Sequence, residues 1–113
     1  MQKNDLIRVH HMLDAAQEAR SFIRNQTRPA LGGNRALVLA LVRLIEVIGE
    51  AAAQVSKGFQ DAHPEIPWAK IIAMRNRLIH AYFDVDLDRV WDTVADDLPP
   101  LMVQLEQLVP PAS

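Results

Sequence analysis

From Ala36 to Val42 the chain reads Ala-Leu-Val-Leu-Ala-Leu-Val, seven apolar residues in succession. They open a helical stripe of Leu37, Leu41, Leu44, Ile48, Ala51 and Val55, which predicts a helix from Asn34 to about Lys57 with Gly58 past its end. Leu39 and Val42 fall off that stripe, and a helix that is apolar nearly all round is buried on more than one side. The chain has 113 residues, and a domain of that size buries only a thin core. Such a helix is therefore either central to the fold or covered by a second subunit.

The rest of the sequence also reads as helix. Alanine and leucine supply 28 residues against two threonines. Glycine and proline cluster at a few places instead of recurring every 8–12 residues or so, which argues against a sandwich or barrel. A first helix is expected from about Asp5 to Arg24, capped by Asn4 or Asp5, with Leu6, Val9, Leu13, Ala16 and Ile23 on its apolar side. The stretch Thr27–Gly33, with Pro29, Gly32 and Gly33, breaks it. Asp61–Pro67 is a second loop, and Pro67 suits the first turn of a third helix carrying Trp68 to about Tyr82. A fourth helix begins near Asp86 or Asp88, where acidic residues favour a helix N-terminus. Pro99-Pro100 should kink or break it. The expectation is one all-α domain over residues 1–113, an antiparallel bundle of four to five helices.

Several function classes drop out. With no cysteine there is no disulfide scaffold, thiolate nucleophile or zinc-thiolate site, which fits a reducing cytoplasm. The longest run free of acidic and basic residues is eight, Leu98–Leu105, against about 20 for a membrane span. No signal peptide opens the chain. A Gly-rich phosphate loop, a paired-histidine metal motif and a serine elbow are all absent, so neither a cofactor nor a metal is expected. The net charge of −2 does not point to nucleic acid, yet it hides a split. Residues 1–80 hold eleven basic residues and seven acids, a balance of +4, whereas residues 81–113 hold Arg89 against seven acids, a balance of −6. Either a basic working surface faces an acidic one, or solvated faces simply differ in sign.

One segment concentrates polar chemistry. Arg75, Asn76, Arg77, His80 and Tyr82 fall within eight residues. Ile71, Ile72, Met74, Leu78 and Ile79 around them should anchor the segment in the core. Arginine offers a planar fork for phosphate. Histidine titrates near neutrality and can take a proton from a ribose 2′-hydroxyl or give one to a leaving oxygen. On a regular helix Arg75 and His80 point about 140° apart. Convergence then needs a bent arginine, a helix that loosens near His80, or a second copy across a twofold axis. The Arg-x4-His spacing is weak evidence alone, since chance supplies about 0.3 occurrences in such a composition. The structural alternative pairs Arg75 with an acid of the last helix and uses His80 as a cap. His10-His11 is an adjacent pair aimed in different directions and reads as surface; His63 reads as turn filling. Gly49, in mid-helix, signals close backbone packing, and Glu50 is expected to ion-pair with Arg75 or Arg77.

The string from Met74 to Asp86, with Arg75, Asn76, His80 and Tyr82, resembles the Arg-x4-His-x-Tyr signature of the HepT-like proteins of the HEPN superfamily. Arg43–Ala52, Ile66-Pro67-Trp68, and Val90-Trp91 through Asp97-Leu98-Pro99 are similar to the same family.

The resemblance implies a ribonuclease toxin of a type VII (HepT/MntA) toxin–antitoxin system. Arg75 and His80 would be catalytic and Asn76 supporting, in a cleft shared by a homodimer. The partner would be an MntA-type minimal nucleotidyltransferase antitoxin, which transfers AMP to the motif tyrosine, here Tyr82. The substrate would be RNA, cleaved without a metal; no DNA or membrane partner is implied. The alternative is a noncatalytic HEPN module that binds nucleotide or a nucleotidyltransferase.

Overall fold

The computed structural model describes residues 3–81 and 84–109. Helix α1 runs Lys3–Ile23 and α2 Arg35–Gln54, with a 3-10 turn, Arg28–Gly33, between them. Two short helices follow, α3 (Lys57–Ala62) and α4 (Trp68–Ile72). A second 3-10 turn, Met74–Arg77, leads into two short strands, β1 (Ile79–Ala81) and β2 (Asp84–Val85). The last helical stretch comprises α5 (Leu87–Asp92), a π-helical turn (Thr93–Asp97) and α6 (Leu98–Glu106). The all-α expectation holds apart from that one antiparallel strand pair.

The apolar helix is central. Val38, Leu41, Val42, Ile45, Ile48, Gly49, Ala51 and Ala52 of α2 are buried. α1 packs along it with Val9, Met12, Ala16 and Ala19 fully buried; the alanines let the two backbones approach. The helices are antiparallel, because Asp5 at the start of α1 accepts hydrogen bonds from Ser56, just beyond α2. The Ser56 amide donates at 2.8 Å and its hydroxyl at 2.7 Å. Asp5 is therefore a buried acceptor inside α1 and not the cap expected of it, since α1 already begins at Lys3. Leu98, Leu101 and Leu105 of α6 close the core. The apolar run is less buried than its composition suggests: Val38, Leu41 and Val42 are buried, Leu37 and Ala40 are half-buried, and Ala36 and Leu39 are exposed, Leu39 to 49%.

The caps follow the sequence closely. The Asn34 side chain accepts from the Leu37 amide at 3.0 Å and starts α2. Asp86 accepts from the Arg89 amide at 3.1 Å and starts α5. α2 stops at Gln54, earlier than Lys57, because Val55 is extended and Ser56 caps α3 through the Phe59 amide. Gly58 consequently lies inside α3.

One expectation is corrected and another is made specific. The segment Trp68–Tyr82 is not one helix: helical structure ends at Arg77, and the chain then turns into β1. Ile79 and Val85 pair across the strands, and the Asp86 amide donates to the Leu78 carbonyl. The last helix is interrupted just ahead of Pro99-Pro100, which sit in the first turn of α6, where their missing N–H groups cost least. The irregularity lies one turn earlier, in the π-helical Thr93–Asp97. A proline leaves the carbonyl about one turn before it without a donor. Arg20 of α1 supplies one, its Nη1 lying 3.4 Å from the carbonyl oxygens of both Val94 and Ala95. Arg20→Ala is expected to cost about 1 kcal/mol, lowering the thermal midpoint by roughly 4 °C; calorimetry of the purified variant checks this.

Candidate functional site

The site is built outward from Gly49. A Cβ placed on Gly49 would lie 3.2 Å from the Ile71 carbonyl oxygen and 3.5 Å from that of Ile72. The backbone of α4 thus rests directly on α2, the close packing read from the mid-helix glycine. Trp68 and Ile71 are buried on the inner side of α4. Ile72 was expected in the core but is 41% exposed, because five residues of helix present only one buried side.

The 3-10 turn after α4 is pinned at both ends. Met74, its first residue, is buried, and Leu78 just after it is fully buried. Between these anchors Arg75, Asn76 and Arg77 are exposed. Polar side chains are thereby held on a short turn whose ends are fixed by core packing.

Arg75 has one partner among the described residues. Its Nε lies 3.2 Å from Glu46 Oε2 on α2, with the Glu46 side chain 23% exposed and that of Arg75 52%. The pairing engages the inner nitrogen and leaves the two terminal nitrogens, the ends of the guanidinium fork, without a protein partner among the described residues. Those ends suit bidentate contact with a phosphate. Glu46 in turn lies 3.9 Å from Arg43 Nη1, and Arg43 Nη1 lies 3.4 Å from Glu50 Oε1. The result is a chain of alternating charge along α2 that ends on Arg75.

This network corrects the expectation for Glu50, which pairs with Arg43 on its own helix and not with Arg75 or Arg77. Arg75 likewise pairs with α2 and not with an acid of the last helix. Glu46 and Arg43 had no assigned role in the sequence. The usable signal was spacing: Glu46 precedes Gly49 by three residues, so it flanks the place where α4 docks and faces the 3-10 turn carrying Arg75.

His80 belongs to β1, at the irregularity in strand register between Ile79 and Ala81. Arg75 and His80 are therefore not on one helix, and the 140° separation expected of them does not apply. The helix does end before His80, the second of the three routes to convergence; the His80 side chain lies outside the described residues. Tyr82 lies outside the described residues. His10 and His11 are exposed on α1. His63 fills the turn after α3, with its ring 4.5 Å from that of Phe59, its Nδ1 3.4 Å from Glu65 and its carbonyl accepting from the Trp68 indole. No described helix is long and apolar enough to cross a membrane.

Comparison with known proteins identifies the family. The family model described as ribonuclease HepT-like matches residues 12–108. A protein of Thermococcus cleftensis named "Probable ribonuclease HepT" is 46% identical over 69 residues, covering 61% of this chain and 63% of that protein. A Methanocaldococcus jannaschii protein named "Putative RNase MJ1216" is 32% identical over 101 residues, covering 89% of this chain and 84% of that protein. No solved structure matches the chain.

Proposed function

Because this chain belongs to the HepT-like ribonuclease family, we propose that it is the ribonuclease toxin of a type VII toxin–antitoxin system. It works in the cytoplasm as one HEPN-like domain per subunit and cleaves RNA in a cleft shared by two copies. The observation that carries this reading is the Arg75–Glu46 pair, which fixes the arginine while leaving its fork for a scissile phosphate.

The chemistry needs no metal, because RNA carries its own nucleophile. His80 takes the proton of the ribose 2′-hydroxyl, and the 2′-oxygen attacks the adjacent phosphorus. The bond from phosphorus to the 5′-oxygen breaks. That oxygen leaves with a proton delivered by an acid, a role that His80 of the second copy can fill. The products are a 2′,3′-cyclic phosphate and a 5′-hydroxyl. Arg75 neutralises the charge that builds on the phosphoryl oxygens, and Asn76 supports the two. The experiment is cleavage of single-stranded RNA by the purified chain in excess chelator. Absence of any cleavage would favour the noncatalytic, nucleotide-binding alternative.

Regulation involves the same segment. An MntA-type minimal nucleotidyltransferase would transfer AMP from ATP to the Tyr82 hydroxyl, releasing pyrophosphate. The added bulk and negative charge would then compete with RNA phosphate for Arg75. Coexpression with such a partner is expected to add about 329 Da per AMP to the intact mass. The increment should vanish in Tyr82→Phe, and its persistence there would place the modification elsewhere.

A further inference from the structure

Where α1 ends, it runs against the π-helical turn, and the two leave a groove of about 390 Å³ lined by Arg20, Ile23, Arg24, Gln26, Trp91 and Ala95. No carboxylate lines it. Arg20 commits one nitrogen to the carbonyls of Val94 and Ala95. The Arg24 guanidinium and the Gln26 side-chain amide have no partner among the described residues. Trp91 packs partly against the core. Its indole N–H has no protein partner among the described residues and is not a buried orphan, so it opens to solvent. Trp68, the other tryptophan, is buried and donates to the His63 carbonyl.

A groove rich in donors, free of acids and walled by an indole selects an anion with a planar apolar part. Arginine forks match phosphate, and tryptophan is a platform for nucleobases whatever their identity. The volume falls within the range of small-ligand sites, about 300–1,000 Å³. We propose that this groove binds one nucleotide unit, its phosphate on Arg24 and Arg20 and its base against Trp91. The groove shares no residue with the Arg75–Glu46 pair, so it is a second binding place and not an extension of the first. The ligand chemistry is the same for a free nucleotide and for one nucleotide of an RNA strand. In the second case the groove grips the substrate away from the cut bond, an assignment that rests on the ribonuclease reading.

Tryptophan emission tests the proposal in the full-length His80→Ala chain, where RNA stays intact. AMP, and separately a short single-stranded oligoribonucleotide, should quench the emission saturably. The quenching should be absent in Trp91→Phe and need about tenfold more ligand in Arg24→Ala, a change at an exposed residue that leaves the core alone. Tighter, salt-sensitive binding of the oligonucleotide assigns the groove to RNA; equal affinity for both assigns it to a free nucleotide. No saturable quenching, unchanged binding in Arg24→Ala, quenching that survives in Trp91→Phe, or inorganic phosphate competing as well as AMP would each overturn the proposal. None of these readouts involves cleavage, so the groove and the ribonuclease reading can fail separately.

Discussion

His80→Ala is expected to reduce RNA cleavage by about 100- to 10,000-fold, the usual contribution of a positioned general acid or base. Arg75→Ala should cost about 100- to 1,000-fold, because it removes the fork that meets charge developing on the phosphoryl oxygens. Both variants should keep the elution volume of the parent and a thermal midpoint within about 4 °C of it. Arg75 is half exposed and its pair with Glu46 is open to solvent, so its loss costs at most about 1 kcal/mol of stability. Arg75→Lys separates charge from geometry: lysine keeps the charge but not the planar fork, and the rate should recover only in part. The measurement is the initial rate on a labelled single-stranded RNA in chelator, below the melting transition of every variant. Full activity in His80→Ala would remove the histidine from the mechanism, while an Arg75→Ala chain that unfolds would make the arginine structural.

How far the sequence carried depends on which forces decided each element. Asn34 and Asp86 act locally, through one side-chain acceptor and one amide three residues on, and both helix starts were legible. Gly49 was legible as a contact because a mid-helix glycine is costly without one. The end of the helical segment at Arg77 was not. Met74, Leu78 and Ile79 continue a helical spacing, yet Ile79, Tyr82, Phe83 and Val85 favour extended backbone. Only the tertiary frame, with Leu78 in the core and Val85 paired to Ile79, decides between them. The choice of Glu46 over Glu50 is of the same kind. The two acids lie one turn apart on nearly the same side of α2, and the place where α4 docks selects which of them meets Arg75. The charge split, too, gained meaning from packing: Arg28 pairs with Asp88, so one contact between the basic and acidic halves is structural, and Arg24 and Arg77 remain without such partners among the described residues.

Gly49→Leu tests whether that docking positions the site. α4 has five residues, far fewer than a helix needs to persist alone, so its place depends on contact with α2. The atom facing Gly49 is the Ile71 carbonyl oxygen, part of the backbone, which cannot swing aside as a side chain can. Gly49→Ala sets two effects against each other. It gains about 1 kcal/mol of helix propensity and loses a similar or larger amount to a contact tighter than packing tolerates. Its net effect on stability should be small. Gly49→Leu has no such compensation and is expected to lose about 3 kcal/mol or more. It must also push α4 outward, carrying Met74–Arg77 away from Glu46. Misplacement of a reacting group by about 1 Å can cost about 100-fold in rate. The leucine variant, assayed well below its own melting midpoint, should therefore cleave RNA far more slowly than the alanine variant although neither change touches substrate. A Gly49→Leu chain that melts and cleaves like the parent would show that the α2–α4 contact does not set the position of Arg75.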